Sequence, residues 1–120
     1  MAGQPARILV VEDEALVANA LEYLLIEFGY GVVGPVPSTG KALKLIAVEA
    51  IDIALLDVNL GNERIDCVAE ALASASIPFI FTTGYSNRSA LPEAFRDRPV
   101  INKPYQEEQL RDAVGQLLLA

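Results

Sequence analysis

The chain contains no histidine and no tryptophan, and Cys67 is its single cysteine. One cysteine cannot form an internal disulfide, and a chain without histidine lacks the most common zinc ligand and the usual general base. These absences exclude disulfide frameworks, zinc centres and histidine-based catalysis within the 120 residues. A lone thiol is typical of a reducing compartment, so we expect a cytoplasmic location and an inert Cys67 in a helix.

Positive charge is also scarce, since nine Lys and Arg residues face sixteen Asp and Glu residues and the net charge is −7. Such a chain repels a phosphate backbone and an anionic bilayer surface, so no direct nucleic-acid partner is expected. Long apolar runs are missing too, because the longest uncharged stretch, residues 71–87, contains Pro78 and Gly84. The beginning "MAGQPAR" has no apolar signal core, and we therefore expect no membrane association.

Short apolar runs of the kind that form buried strands are abundant, and most are followed by a segment with helical spacing. The runs are "RILVV", "YGVVGPV", "IDIALLD", "IPFIFTTG" and "RPVIN". Alternating β and α segments of this length predict an α/β domain with a parallel sheet covered on both faces and right-handed crossovers. We assign residues 1–6 to a flexible N-terminal tail and residues 7–120 to this domain.

The segment "YSNRSALPEAFRD", between the fourth and fifth predicted strands, has the weakest helical pattern. Pro92 would break a long helix there, but it suits the first position of a short helix over residues 92–96. The fourth helix is therefore expected to be short or mobile.

Chemically active side chains end four of the predicted strands: Glu12 and Asp13, then Asp57, then Thr83, and then Lys103 before Pro104. In a parallel sheet the carboxyl ends of the strands meet at one edge, which is where such folds bind ligands. Three carboxylates gathered there repel one another, so that one tends to keep its proton unless a cation is bound. Mg²⁺ prefers oxygen ligands of this kind, and the sequence therefore predicts a magnesium site.

An aspartate beside a divalent cation can attack phosphorus and form an aspartyl phosphate, while a lysine and a hydroxyl neutralise the transferring oxygens. Asp57, Lys103 and Thr83 fit these three roles. Four motifs, "VVEDE", "LLDVNL", "TTG" and "NKP", follow one another along the chain. In this order, each at a strand end, they resemble the response-regulator receiver domain of two-component signalling over essentially the whole chain.

The resemblance implies a flavodoxin-like, doubly wound (βα)5 three-layer sandwich with five parallel strands in the order 2-1-3-4-5. It further implies that Asp57 is the phosphoacceptor, that Thr83 is the switch hydroxyl and that Lys103 pairs with the phosphoryl group. The bond between Lys103 and Pro104 is expected to be cis. The implied magnesium ligands are Asp13 directly, Glu12 through water, Asp57, and the main-chain carbonyl of Asn59.

Two features depart from the usual receiver pattern. The Met-Pro-Gly turn that commonly follows the phosphoacceptor is replaced by Leu60, Gly61 and Asn62, which predicts a looser loop. Val100 stands where many receivers carry an aromatic switch residue. The stretch "FTTGYS" resembles instead a receiver subfamily named for a Phe-Ala-Thr-Gly sequence. We therefore hypothesise that Tyr85, together with the weak helical segment after it, carries the signal.

As a receiver, the chain would take a phosphoryl group from a histidine kinase or a histidine phosphotransfer protein and then bind an unknown downstream protein. It would act as a monomer or weak dimer, and would catalyse only its own phosphorylation and dephosphorylation. Two alternatives stay open from the residues. A haloacid-dehalogenase-type phosphatase is disfavoured because Asn59 stands where its second aspartate would be. A receiver-shaped binding module could act without any phosphorylation.

Overall fold

The computed structural model describes residues 5–61, 63–84, 91–103 and 105–119. Strands and helices alternate along the chain, and a 3₁₀ turn lies between the last two strands. The strands are β1 (Arg7–Val11), β2 (Gly31–Val36), β3 (Ile53–Asp57), β4 (Phe79–Thr83) and β5 (Val100–Asn102). The helices are α1 (Ala15–Glu27), α2 (Thr39–Val48), α3 (Asp66–Ser74) and α4 (Glu107–Leu119), and the 3₁₀ turn is Glu93–Phe95.

The five strands form one sheet in the order β2-β1-β3-β4-β5, and every neighbouring pair is parallel. This confirms the predicted fold class and strand order. Since all strands run the same way, their carboxyl ends lie along one edge, which we call the carboxyl edge. Glu12, Asp57, Thr83 and Lys103 are all at or next to the end of a strand on this edge.

Each strand contributes apolar side chains to both faces of the sheet, because successive side chains alternate. Ile8 and Val10 of β1 join a cluster that includes Leu21 and Leu25 of α1 and Leu110 and Val114 of α4. Leu9 and Val11 join the opposite cluster, which contains Ala42 of α2 and Val68, Ala69 and Leu72 of α3. Helices therefore cover both faces, and the strands read as continuous apolar runs because neither face meets water.

Two helix ends follow directly from local sequence. The Ser38 hydroxyl caps α2 by accepting a hydrogen bond from the Lys41 N–H at 3.3 Å, as its position before the helical pattern predicts. Gly29 follows the end of α1 with φ of +96°, a conformation that glycine adopts without steric cost.

Apolar residues repeat at helical spacing along α1, but not all of them are buried. Leu16 is 84% exposed and Ala20 is also exposed, whereas Ala18 is buried together with Leu21 and Leu25. Helical spacing identifies a set of apolar positions, but only the packing of the helix on the sheet selects which sector of that set is covered. Leu16 and Ala20 lie on the side of α1 away from Ala18 and Leu25.

The predicted short helix over residues 92–96 is present as the 3₁₀ turn Glu93–Phe95, and Pro92 is its N-cap rather than its first residue. Residues 85–90, including Tyr85, lie outside the described residues, as does Pro104 with its expected cis bond. Among the described residues, none of the helices combines the length and the apolar character that crossing a bilayer requires.

Candidate functional site

Three carboxylates converge at the carboxyl edge, and we call Glu12, Asp13 and Asp57 the acidic cluster. One carboxylate oxygen from each lies within 4.8 Å of the others. Glu12 and Asp57 are almost fully buried, with 2% and 1% of their surfaces exposed, while Asp13 is exposed. The burial comes from their positions directly after β1 and at the end of β3, two of the three inner strands of the sheet.

Each buried carboxylate uses its two oxygens differently. Glu12 Oε2 accepts a hydrogen bond from the Glu14 N–H at 3.1 Å, and Asp57 Oδ1 accepts one from the Asn59 N–H at 3.0 Å. The remaining oxygens face the Lys103 ammonium, with Nζ 2.8 Å from Glu12 Oε1 and 3.3 Å from Asp57 Oδ2. Backbone amides thus orient the carboxylates, and one lysine side chain neutralises both.

The charge balance of this group is reflected in its pKa values. Burial raises the pKa of Asp57 to about 7, and the Glu12 carboxylate adds to the shift, while the Asn59 amide and Lys103 oppose it. Burial lowers the pKa of Lys103, but its contacts with Glu12 and Asp57 outweigh burial, and the net pKa is raised. Asp57 is therefore the carboxylate that keeps its proton most readily, as the sequence predicts for one member of the group.

The donor set suits a hard divalent cation. Carboxylate oxygens are ligands that Mg²⁺ prefers, and their separation leaves room for one ion between them. A bound cation would replace Lys103 as the main counter-charge of the acidic cluster, leaving the ammonium able to pair with another anion.

The predicted switch residue Thr83 ends β4 and is buried, with 2% of its surface exposed. Its carbonyl accepts a hydrogen bond from the Lys103 N–H at 2.8 Å, which joins the ends of β4 and β5. The residue in register with Asp57, however, is Thr82, whose carbonyl accepts from the Val58 N–H at 3.0 Å. Since successive side chains of a strand point to opposite faces, the side chains of the two threonines leave β4 on opposite faces of the sheet.

Gly61, in the loop between β3 and α3, comes close to Asp13 of the acidic cluster. Leu60 is buried in the core, and its carbonyl accepts a hydrogen bond from the Glu63 N–H at 3.0 Å. Gly61 has φ of +60°, and a Cβ added there would stand 3.8 Å from Asp13 Oδ2. Glu63 Oε1 accepts a hydrogen bond from the Thr39 N–H, the first amide of α2, at 2.8 Å. The loop that the sequence predicts to be looser therefore has several attachments.

An apolar groove adjoins the acidic cluster on the α1 side. It has a volume of about 280 Å³ and is lined by Leu16, Val17, Ala20, Leu24, Lys103 and Tyr105. Tyr105 packs in the α1 and α4 cluster, and burial raises the pKa of its phenol to about 12, although Thr82 and Lys103 oppose that shift. The exposed apolar side of α1, which contains Leu16 and Ala20, is thus the wall of a groove that reaches Lys103.

Sequence reasoning missed three residues of this neighbourhood. The sequence position of Tyr105 could have indicated its place near the site, because it stands two positions after Lys103. Gly61 gave a weaker indication, because glycine in a turn after a strand permits a positive φ. Glu63 gave none, because its contact with Thr39 joins residues that are 24 positions apart. The hypothesis on Tyr85 lies outside the described residues.

Comparisons with known proteins agree with this geometry. The family model of the response regulator receiver domain matches residues 8–115. The chain is 30% identical to the phyllosphere-induced regulator PhyR of Methylorubrum extorquens, over 98% of this chain and 45% of that protein. It is 31% identical to the transcriptional regulatory protein PdtaR of Mycobacterium tuberculosis, over 94% of this chain and 57% of that protein. The chain therefore spans about half the length of these curated relatives.

Solved structures give the same result over nearly the full chain. The solution structure of SdrG from Sphingomonas melonis superposes with a TM-score of 0.84 at 42% identity, covering 98% of this chain and 99% of SdrG. A BeF3-activated conformation of SdrG superposes with a TM-score of 0.81 at 43% identity and the same coverage. With its parallel sheet, its acidic cluster and Lys103 in the expected places, the chain belongs to the family of response-regulator receiver domains.

Proposed function

We propose that the protein accepts a phosphoryl group on Asp57 from a histidine kinase or a histidine phosphotransfer protein, in a Mg²⁺-dependent reaction. The observation that carries this proposal is the arrangement of Asp57 itself. One of its oxygens is held by the Asn59 N–H, the other faces Lys103, and two further carboxylates lie beside it. An aspartate held in this way is oriented for attack on phosphorus, with an ammonium group beside it to neutralise negative charge and further carboxylates to bind a cation.

In the reaction, an Asp57 oxygen attacks the phosphorus atom of a phosphohistidine. A P–O bond forms to Asp57 as the P–N bond breaks, and the histidine nitrogen leaves with the electron pair. Lys103 releases the carboxylates and pairs with the oxygens of the transferred group, which carry the negative charge. Phosphoryl transfer of this kind depends mainly on positioning and charge stabilisation, both of which Asp57 and Lys103 supply.

Mg²⁺ is the cofactor in this proposal, and it neutralises charge on the phosphoryl oxygens and on the acidic cluster when bound. Asp13 and Asp57 would be direct ligands, Glu12 would act through water, and the Asn59 carbonyl would complete the protein's share. The exposure of Asp13 supports this assignment, because a ligand at the rim leaves the ion open to water and to an incoming phosphoryl group.

The apolar groove beside Lys103 suits the partner that delivers the phosphoryl group. Leu16 is 84% exposed at the groove although it is a large apolar side chain. Exposed apolar surface of this kind next to a reactive group is typical of a protein-binding site. A partner that covered it would bring its phosphohistidine to the mouth of the acidic cluster.

The output is a changed protein-binding surface for a downstream target, and the proposed readout lies on the β4 and β5 side. Thr83 would sense the phosphoryl group, and Tyr85 would carry the change outward, as the resemblance of "FTTGYS" to the Phe-Ala-Thr-Gly subfamily suggests. Val100, which stands at the place of the common aromatic switch, is half-buried and has no ring to move. The chain would otherwise act as a signalling module and not as an enzyme on small substrates.

The test is to incubate the protein with acetyl phosphate, with and without Mg²⁺, and to measure its intact mass. The expected result is a gain of one phosphoryl group that requires Mg²⁺ and is absent in Asp57→Asn. Asp66→Asn, which removes a carboxylate from the first turn of α3, is the matched control and should be phosphorylated normally.

Two results would contradict the proposal. No mass gain, together with an unchanged NMR spectrum when BeF3 is added, would favour a receiver-shaped binding module that works without phosphorylation. Rapid turnover of many phosphate esters would favour a phosphatase. The BeF3-activated conformation of SdrG makes the same mimic a suitable probe here.

A further inference from the structure

The side chain of Glu63 links two parts of the molecule that meet near the acidic cluster. Its Oε1 atom lies 2.8 Å from the N–H of Thr39, the first residue of α2. The first amides of a helix have no partner within the helix and carry partial positive charge, so a carboxylate there is favourable. Ser38 satisfies a different amide of the same helix, that of Lys41. Two side chains therefore cap α2, and Glu63 comes from outside the helix.

Glu63 also ends the turn that begins at Leu60, next to the acidic cluster. The hydrogen bond from its N–H to the Leu60 carbonyl closes the turn, and Gly61 within that turn stands next to the Asp13 carboxylate. Asn59, whose N–H orients Asp57, lies immediately before Leu60. A displacement of Glu63 would therefore be passed to the backbone that surrounds Asp13 and Asp57.

This part of the loop has no proline to restrict it, since Leu60, Gly61 and Asn62 stand where the Met-Pro-Gly turn is common. A glycine in such a turn leaves the backbone with many accessible conformations. A tertiary hydrogen bond just beyond the turn removes part of that freedom. The loop is then held at Leu60 by burial in the core and at Glu63 by α2.

We infer that Glu63 is a positioning residue for the phosphoryl-transfer site: by binding the first amide of α2, it holds the loop after Asp57 where the Asn59 carbonyl can ligate Mg²⁺. This inference rests on the proposed function, because the loop supplies a ligand only if the acidic cluster binds the ion. Glu63 is neither the phosphoacceptor nor a metal ligand, and it acts through the backbone of the loop.

The structure supplies a matched control. Ser38→Ala removes a cap from the same end of α2 and lowers stability in the same way, but the hydrogen bond it removes lies within that end of α2, between the Lys41 N–H and the Ser38 hydroxyl. Glu63→Ala removes the second cap and the link to the loop together. Glu63→Gln keeps a carbonyl oxygen that can accept from the Thr39 N–H and loses only the negative charge, so it separates positioning from simple electrostatic attraction of the cation.

The experiment measures three quantities for the four proteins: the melting temperature, the Mg²⁺ dissociation constant by calorimetry, and the backbone amide shifts of Asn59 and Gly61. Both alanine variants are expected to have a lowered melting temperature. Only Glu63→Ala should shift the two loop amides and weaken Mg²⁺ binding, by about 3- to 10-fold. This is less than the roughly 10- to 100-fold cost of removing a direct partner of a metal ligand, because Glu63 acts through the loop backbone. Glu63→Gln should stay near the wild type.

Three results from the variants overturn the inference: equal weakening in Ser38→Ala and Glu63→Ala, equal weakening in Glu63→Gln and Glu63→Ala, or an unchanged dissociation constant in Glu63→Ala. Failure of the proposed function is distinguishable from these. If Mg²⁺ binds and responds to Glu63 as expected but acetyl phosphate adds no mass to the wild type, the positioning role stands and the phosphorylation proposal fails. Absence of Mg²⁺ binding by the wild type overturns the positioning role.

Discussion

The two halves of the site hold their charged groups in different ways. On the β1 and β3 side, Glu12 and Asp57 are each fixed by a backbone N–H. On the β4 and β5 side, the Lys103 ammonium is held by those two carboxylates at the end of a long, rotatable side chain, and its backbone is tied to Thr83. The carboxylates are therefore oriented before any ligand arrives, while the lysine can change partner when one does.

Removing the Lys103 side chain should have the largest effect on stability. In Lys103→Ala, Glu12 and Asp57 lose their counter-charge while still buried, and the free energy of unfolding at pH 8 without metal should fall by about 3 kcal/mol. Urea denaturation measures this. Added Mg²⁺ should restore much of the loss, since it supplies the missing positive charge, and Lys103→Arg is the charge-preserving control. An equally stable Lys103→Ala would show that the carboxylates are not held by the lysine.

The pH dependence of stability tests Asp57, one of the two carboxylates that a backbone N–H fixes. In the folded, metal-free protein the pKa of Asp57 is raised from its usual acidic range to about 7, so the folded state binds the proton more tightly than the unfolded state. The resulting stabilisation is complete below the ordinary aspartate pKa and is lost as the pH rises to about 7. The melting temperature should therefore fall by roughly 5 °C between pH 5 and pH 8.

Asp57→Asn should not show that part of the decline, because asparagine does not titrate, and it should be more stable than the wild type at pH 8. Glu70→Gln, which removes one exposed negative charge from α3, controls for the change in net charge. If the melting temperatures of the wild type and of Asp57→Asn fell by the same amount between pH 5 and pH 8, the raised pKa of Asp57 would be contradicted. The measurement needs a chelator to keep divalent cations away.

The smallest effect on stability is expected from substituting the two threonines at the end of β4. These substitutions separate phosphorylation of Asp57 from the conformational response to it. Thr83→Val and Thr82→Val each remove one buried hydroxyl, and each should change the free energy of unfolding by only about 1 kcal/mol. Both should still be phosphorylated on Asp57. We expect only Thr83→Val to lose the NMR shift changes of the β4 and β5 side on adding BeF3. If Thr82→Val loses them instead, the residue in register with Asp57 is the sensor.

The outcome for the strands shows why much of the fold is readable from the sequence. β1 and β3 are buried on both faces, so their runs of Ile, Leu, Val and Ala differ sharply from the helices around them. The sheet edges were harder: "RPVIN" predicts a strand two residues longer than the observed Val100–Asn102. Helical spacing in α1 also indicated more buried positions than the sheet covers, since Leu16 is exposed.

Which chemical groups stand at the carboxyl edge follows from the sequence, because parallel strands that end at or next to Glu12, Asp57 and Lys103 bring those residues to one side. Which of these groups touch one another follows only from the packing of the folded chain. Lys103 contacts both buried carboxylates, Tyr105 packs beside it, and Glu63 reaches α2 across 24 residues. Such contacts depend on the paths of loops and on the rotation of helices against the sheet, and neither leaves a periodic signal in the chain.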